Sequence, residues 1–230
     1  MNEMKNESKY NVFLLDADGT LLDFDEAQRI AFHNLLHDNG FEPTDELFAV
    51  FAKINKGIWK DMADGEITKK ELLPHRFKLF SEETDIRLDP VLANCSFLTH
   101  LSYQGIILPG ADELLASLSK RGKIAIATNG VEFVQKRRLA LSGLMPYIDQ
   151  VVVSDAVGAG KPEPLFFEAA LHLVGNPDPE TVLMVGDAPE ADIRGASNCG
   201  LDSCLYDPDG IHTNSEATYT IRNLAEVLDL

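Results

Sequence analysis

Residues 11–22 read NVFLLDADGTLL, and this stretch decides the fold that we expect for the whole chain. The unbroken apolar run from Val12 to Leu15 is typical of a strand buried on both faces of a parallel sheet. The run stops at Asp16, Asp18 follows two residues later, and Gly19 permits a tight turn. Taken alone, Asp-Ala-Asp-Gly also fits a simple polar turn. Because ligands of open parallel sheets gather at the carboxyl ends of the strands, this turn is a candidate reactive site.

The second half of the chain alternates between short buried strands and helices of about ten residues. Such alternation indicates right-handed βαβ units and a parallel sheet. The predicted fold class is therefore α/β, with a Rossmann-like, three-layer core. After the first strand, further strands are predicted at residues 123–128, 150–153, 181–185 and 203–206. A helix is predicted at residues 190–199, and a loop from Tyr206 to a short helix near residues 223–228.

A helical insertion separates the first strand from the rest of the sheet. From Asp25 to about Gln104 the apolar residues recur with helical periodicity, and hardly a strand is indicated. One of its helices begins with the capping box formed by Thr68 and Glu71. The predicted domains are an α/β core at residues 1–22 and 105–230 and a helical domain at residues 23–104.

Composition limits the classes of partner. The chain has 230 residues, is 45% hydrophobic and carries a formal charge of −17, which argues against nucleic-acid polymers and anionic membranes. No apolar run approaches the roughly 18 residues that cross a bilayer, and none suits a signal peptide. The three cysteines form no metal-type pair, so a cytoplasmic location is expected. We expect a monomer or homodimer, and a small phosphorylated substrate remains compatible with the charge.

Small polar clusters follow several of the predicted strands. Thr128, Asn129 and Gly130 end the second strand, and Lys161 lies in the loop after the third. Asp187 follows the fourth strand, with Asp192 shortly after. Each cluster alone fits a turn, a loop lysine or a helix cap. Because the carboxyl ends of parallel strands share one edge, we expect these side chains to converge with those after the first strand.

The combined pattern resembles the haloacid dehalogenase superfamily. Its four motifs are matched by DADGT (Asp16–Thr20), Thr128–Asn129, Lys161–Pro162 and GDAPEAD (Gly186–Asp192). The resemblance covers the whole chain if the helical insertion is the cap domain of that superfamily. It implies a hydrolase with a Rossmann-like core, but it does not settle the substrate.

The residue types suit phosphate-ester hydrolysis. Asp16 is the expected nucleophile, and Asp18 is the expected general acid and base. Phosphate oxygens are expected to contact Thr128, Asn129, Gly130 and Lys161. The acids and a phosphate together outnumber the single lysine charge, so a hard divalent cation, Mg²⁺, is expected. The resemblance places the metal on Asp16, the backbone carbonyl of Asp18 and Asp187, with Asp192 as a ligand or a partner of one.

A carboxylate at position 18 favours phosphoryl transfer, because dehalogenases of the superfamily lack one there. Three further segments of the chain resemble bacterial pyrimidine 5′-nucleotidases: TNG (128–130), GEIT (65–68) with Arg76–Phe77, and TYTIRNLAEVLDL (218–230). The expected substrate is a pyrimidine nucleoside 5′-monophosphate. The alternatives are a sugar-phosphate or phosphoglycolate phosphatase, a phosphomutase, and, more distantly, a non-catalytic phospho-aspartate signalling module.

Substrate selectivity is expected to come from the helical domain. Arg76 is predicted to contact the edge of the base or the phosphate. An aromatic side chain among the candidates Phe24, Trp59 and Phe77 could stack on a nucleobase. The opposing interpretation makes Trp59 and Phe77 core residues and Arg76 a surface ion-pair partner. The further candidates are Phe24 and His75.

Overall fold

The computed structural model describes residues 9–213 and 216–230. The chain divides into two compact units. The α/β unit holds the chain up to Asp23 and from Gly105 onward, and the helical unit is Phe24–Gln104. Among the described residues, no helix combines the length and apolarity needed to cross a membrane.

The α/β unit is built on one parallel sheet of six strands in the order β3-β2-β1-β4-β5-β6. The first strand lies inside the sheet, and its Val12 is in register with Lys123 on one side and Val182 on the other. This arrangement confirms the predicted α/β class. The strands are β1 (Val12–Leu15), β2 (Lys123–Thr128), β3 (Gln150–Val153), β4 (Val182–Gly186), β5 (Asp202–Tyr206) and β6 (Tyr219–Ile221).

Two apolar layers cover the two faces of the sheet. The helices are α1 (Phe24–Asp38), α2 (Asp45–Ala63), α3 (Lys69–Glu83), α4 (Pro90–Ser102), α5 (Ala111–Leu118), α6 (Glu132–Ser142), α7 (Ser154–Val157), α8 (Pro164–Leu173) and α9 (Arg194–Asn198). Phe13 and Leu15 of β1 pack in one core cluster with residues of α5, whereas Val12 and Leu14 pack in the other with residues of α8. Alternate side chains of one strand thus enter opposite layers, as the pleat requires.

Two segments of the α/β unit differ from the sequence prediction. The predicted loop after Tyr206 contains the edge strand β6, whose three residues are too few for a recognisable period. The predicted helix at residues 190–199 is divided into a π-helical turn, Pro189–Ile193, and the short helix α9. Asp192 lies inside that turn, and its Oδ2 accepts from the backbone N–H of Ala188 at 3.1 Å.

The helical unit has an aromatic core. Phe51 of α2 stacks on Phe32 with ring centroids 4.5 Å apart and on Phe77 with centroids 5.3 Å apart. Phe80 and Phe97 complete the cluster, and all five rings are fully buried. The predicted capping box of Thr68 and Glu71 is confirmed at the start of α3. Phe77 is therefore a core residue, in agreement with the opposing interpretation of the sequence.

Arg76 lies in the same core. The side chain is 2% exposed, and its guanidinium donates to Asn55 Oδ1 at 3.1 Å and Asn94 Oδ1 at 2.8 Å. The cation lies 4.6 Å from the ring centroid of Phe97. Burial lowers its pKa to about 9. A guanidinium so enclosed joins three helices of this unit and is not a surface ion-pair partner, and its predicted contact with a substrate stays a prediction.

Replacing Phe51 by alanine should destabilise the helical unit by about 3–5 kcal/mol, because the cavity would open at the centre of the ring cluster. Trp59 is the single tryptophan of the chain and lies in α2, so its fluorescence during urea unfolding reports on this unit. The control is Leu92→Ala on α4, where the side chain is 70% exposed and the loss should stay within about 0.5 kcal/mol. Equal losses in the two variants would contradict the assigned core.

Candidate active site

Three carboxylates meet at the carboxyl ends of β1 and β4. Asp16 directly follows β1, and its backbone N–H donates to the carbonyl of Val185 at 2.9 Å, which extends the pairing of the two strands. Asp187 directly follows β4, and Asp192 lies in the π-helical turn after it. One carboxylate oxygen from each of Asp16, Asp187 and Asp192 lies within 4.8 Å of the others. The structure thus brings together three acids that are far apart in sequence.

Lys161 neutralises part of this acidic cluster. Its Nζ lies 2.5 Å from Asp16 Oδ1 and 2.6 Å from Asp192 Oδ1. The lysine is 6% exposed, Asp16 is 7% exposed and Asp192 is fully buried. A buried ammonium requires such partners, because leaving it unpaired would cost several kcal/mol. The predicted convergence of Lys161 with the acids is therefore observed in the fold.

The cluster carries more negative charge than Lys161 balances. Burial raises the pKa of the Asp16 carboxyl well above its usual range; Lys161 opposes this shift, and Asp192 and Asp187 add to it. Burial, with the charge of Asp192, also raises the pKa of Asp187 to about 7. For Lys161, burial disfavours the charged form, but Asp16 and Asp192 outweigh it and raise its pKa.

The donor set fits a hard divalent cation. Asp16, Asp187 and Asp192 offer only carboxylate oxygens, which are the ligands that Mg²⁺ prefers. Burial and the neighbouring carboxylates raise the pKa values of Asp16 and Asp187, and a positive charge at the site would oppose both shifts. A divalent ion would supply that charge. These three acids thus form a cluster that could hold such an ion at this edge of the sheet.

The turn after Asp18 requires glycine for two reasons. Gly19 has a φ of +80°, which other residues adopt only with strain. A Cβ at this position would also lie 2.4 Å from Asp187 Oδ2. Gly19 therefore allows the backbone after β1 to pass close to the carboxylate after β4.

Asn129 positions the loop that carries Lys161. Its Oδ1 accepts from the backbone N–H of Lys161 at 2.8 Å, and its Nδ2 donates to the carbonyl of Lys161 at 2.8 Å. The side-chain amide thus pairs with the main chain of one residue through both of its polar atoms. The Asn129 side chain therefore holds the backbone of Lys161, and its predicted contact with a phosphate stays a prediction.

Thr128 has a hydroxyl whose acceptor positions are both in use. The residue ends β2, which lies beside β1, and it is 2% exposed. Its Oγ1 accepts from the backbone N–H of Gly130 at 3.0 Å and from Gln135 Nε2 at 2.8 Å. A hydroxyl has two acceptor lone pairs and one hydrogen. The hydrogen of Thr128 is therefore left to donate, which suits an anionic oxygen.

Asp18 contacts two residues that the sequence reasoning missed. Its Oδ1 accepts from the guanidinium of Arg138, and its Oδ2 accepts from Gln135 Nε2 at 2.7 Å. Both partners lie on the buried face of α6, together with Val134 and Leu139. Two polar side chains three residues apart on the inward stripe of a helix were the available signal.

The other side chains proposed for selectivity lie in the helical unit. Phe24, Trp59 and His75 are each half-buried there. His75 lines an open surface groove of that unit with Ile67, Pro74 and Lys78. Their predicted contacts with a substrate remain predictions.

Comparison with known proteins identifies close relatives. The model of the haloacid dehalogenase-like hydrolase family matches residues 10–200. The chain is 37% identical to the pyrimidine 5′-nucleotidase PynA of Streptococcus pneumoniae over 96% of this chain and 94% of that protein. It is 35% identical to the pyrimidine 5′-nucleotidase YjjG of Escherichia coli over 96% of this chain and 98% of that protein.

A solved structure shows the same architecture. The HAD-hydrolase YfnB of Bacillus subtilis, crystallised with bound magnesium, superposes with a TM-score of 0.91 and 31% identity over 96% of this chain and 98% of that one. Together with the family match, this likeness confirms the resemblance drawn from the four motifs. The chain belongs to the haloacid dehalogenase-like hydrolase family.

Proposed function

We propose that this protein is a Mg²⁺-dependent phosphatase that hydrolyses pyrimidine nucleoside 5′-monophosphates through a phospho-aspartyl intermediate. The observation that carries the proposal is the gathering of one carboxylate oxygen each from Asp16, Asp187 and Asp192 within 4.8 Å of one another, with the Nζ of Lys161 paired with Asp16 and Asp192. An acid cluster of this charge accepts a phosphate dianion only with added positive charge.

Asp16 is the nucleophile of the first step. One of its oxygens is held by Lys161 Nζ, and the other attacks phosphorus. The bond from phosphorus to the 5′-oxygen of the nucleoside breaks, and Asp18 gives its proton to that oxygen. The products of this step are a free nucleoside and a phosphoryl group on Asp16.

Asp18 is the base of the second step. It takes a proton from a water molecule, whose oxygen attacks phosphorus and displaces the carboxylate of Asp16. Inorganic phosphate leaves, Asp16 is again a carboxylate, and Asp18 is again protonated. The hydroxyl of Thr128 donates to a phosphate oxygen throughout, because both of its acceptor positions are occupied by Gly130 and Gln135.

The metal would be held by Asp16, Asp187 and the backbone carbonyl of Asp18. Both oxygens of Asp192 already accept hydrogen bonds, one from Lys161 Nζ and one from the N–H of Ala188. We therefore assign Asp192 to holding Lys161 beside the metal ligands. When bound, Mg²⁺ supplies a Lewis acid that withdraws charge from the phosphoryl oxygens.

The proposed substrate class is supported by the relatives. PynA and YjjG are pyrimidine 5′-nucleotidases that match this chain over nearly its whole length. The segments TNG (128–130), GEIT (65–68) and TYTIRNLAEVLDL (218–230) carry the resemblance that led to the same class. A monophosphate of uridine, deoxyuridine or thymidine is the substrate that we propose.

Hydrolysis of a panel of monophosphates should show the highest kcat/KM for UMP, dUMP or TMP in the presence of Mg²⁺. Removing the metal with a chelator should lower the rate by about 10³-fold, because a Lewis acid contributes several kcal/mol of transition-state stabilisation. Free phosphate is the quantity measured. A preference for phosphoglycolate or a hexose phosphate would refute the substrate class, and isomerised product without free phosphate would indicate a mutase.

Replacing Asp16 by asparagine should lower kcat by about 10⁴-fold or more, because the amide cannot form the covalent intermediate. Asp112→Asn, on the exposed side of α5, is the matched control and should keep the wild-type rate. Near wild-type turnover by Asp16→Asn would rule out the nucleophile. A long-lived phospho-adduct on Asp16 after acetyl phosphate treatment, with no ester turnover, would instead support a signalling module.

Arg76→Met should leave kcat and KM for the best nucleotide within about threefold of wild type, because the guanidinium is enclosed by Asn55, Asn94 and two phenylalanine rings. The contrasting variant is Lys161→Met, for which kcat/KM should fall by about 10³-fold through loss of the buried cation at the site. A large rise in KM specific to Arg76→Met, in protein that remains folded by circular dichroism, would restore its substrate contact.

A further inference from the structure

Two buried polar side chains of α6 reach the carboxylate of Asp18. Arg138 is fully buried and Gln135 is 1% exposed. Burying a guanidinium on the inward face of a helix is expensive, and a buried ion pair adds little to stability compared with apolar packing. A contribution to stability therefore does not explain why Gln135 and Arg138 stand at these positions. Both contact Asp18, the side chain proposed as general acid and base.

The hydrogen-bonding pattern gives the amide of Gln135 a single orientation. Its Oε1 accepts from Arg138 at 3.2 Å, whereas its Nε2 donates to Asp18 Oδ2 at 2.7 Å and to Thr128 Oγ1 at 2.8 Å. A flipped amide would place its oxygen against a carboxylate and its NH₂ against a guanidinium, and both contacts are repulsive. Gln135 therefore ties Asp18 and Thr128 together in one geometry.

Both oxygens of the Asp18 carboxylate are held, Oδ1 by Arg138 and Oδ2 by Gln135. Two donors on separate oxygens fix the side-chain torsions, so the carboxylate cannot rotate. Each carboxylate oxygen accepts at more than one position, and the Asp18 side chain is 27% exposed. The outer lone pairs thus remain available to the leaving oxygen or to a water molecule.

Gly130 leaves the space through which Gln135 passes. A Cβ at this position would lie 2.5 Å from Gln135 Nε2 and 2.6 Å from both its Cδ and Cγ. Because the clash involves the stem of the side chain as well as its tip, Gln135 would have to leave Asp18. Gly130 is thus required sterically, in addition to its predicted place at the phosphate.

We propose that Gln135 and Arg138 are positioning residues that fix the orientation of Asp18 for proton transfer, and that Gly130 is a glycine to admit Gln135. This inference rests on the proposed phosphatase activity and assigns new residues to it. Neither Gln135 nor Arg138 touches the reacting atoms: Arg138 acts through Asp18, and Gln135 acts through Asp18 and Thr128. A displacement of about 1 Å in such a group can cost about 10²-fold in rate.

The effect of misplacing Asp18 should depend on the leaving group of the ester. Nucleoside alkoxide is a poor leaving group and needs the proton of Asp18, whereas p-nitrophenolate leaves without one. Misplacing Asp18 should therefore slow the release of nucleoside far more than the release of nitrophenol. A general loosening of the site would slow both releases alike.

The test uses the full chain with Mg²⁺ and measures leaving-group release in the first turnover, at one pH, for UMP and for p-nitrophenyl phosphate. Gln135→Leu and Arg138→Met should each lower the rate constant for uridine release by about 10–100-fold. The rate constant for nitrophenol release should fall by less than about threefold in Arg138→Met. In Gln135→Leu, which also removes a donor to Thr128 Oγ1, it should fall by a smaller factor than the rate constant for uridine release. Gly130→Ala should give the same pattern without removing a polar group. Arg137→Met, exposed on the same helix, is the control and should match wild type.

A double-mutant cycle separates positioning from simple destabilisation. In an Asp18→Asn background, adding Arg138→Met should lower uridine release by less than about twofold, because the group that Arg138 positions is already disabled. A full, multiplicative loss in that background, or equal losses on the two esters, would overturn the inference. Wild-type kinetics for folded Gln135→Leu would also overturn it while leaving the phosphatase proposal intact, and absence of any ester hydrolysis by wild type would overturn both.

Discussion

The candidate site depends on one interaction, the pairing of the Lys161 ammonium with the carboxylates of Asp16 and Asp192. The three residues come from the end of β1, the loop after α7 and the turn after β4, so the ion cluster forms only when β1 lies beside β4. The ammonium also allows the two carboxylates to be buried side by side, because it replaces the solvation that they would otherwise receive from water. The same contact joins three segments of the chain and neutralises part of the negative charge of the site.

The acids of the site are divided between two cations. Asp16 and Asp192 share Lys161, whereas Asp18 has its own partner in Arg138. Asp187 has no comparable cation among the ion pairs of the described residues, and burial raises its pKa to about 7. This division matches the proposed roles: the nucleophile beside the lysine, the proton carrier beside the arginine, and the remaining acid open to a metal ion.

The parts of the site that follow strands could be predicted from the sequence. Asp16 and Asp187 each come directly after an unbroken apolar run, and parallel strands bring such positions to one edge. The partners of Asn129 could not be predicted, because its amide pairs with the backbone of a residue on another loop. Any residue can offer a backbone N–H and carbonyl, so the residue types do not show which backbone groups a side chain will contact.

Helix-borne residues were harder to assign for a different reason. Arg76 and Arg138 are both fully buried cations, although arginine is a surface residue in most proteins. Arg76 is enclosed by amides and aromatic rings, whereas Arg138 reaches Asp18, the carboxylate proposed as general acid and base. Helical periodicity places both on inward faces, but it does not say what lies opposite. Their different roles become visible only when the neighbouring elements are in place.

The central position of β1 has a consequence for the order of folding. Its two neighbours, β2 and β4, begin at Lys123 and Val182, so the first strand made at the ribosome must wait for most of the chain before it has a partner. The helices α1–α4, by contrast, are consecutive, and their contacts are local in sequence. Local contacts form faster than distant ones because less loop-closure entropy is lost. The inserted helices can therefore acquire structure during synthesis before β1 pairs with β2, and β1 gains its second neighbour only when β4 has been made.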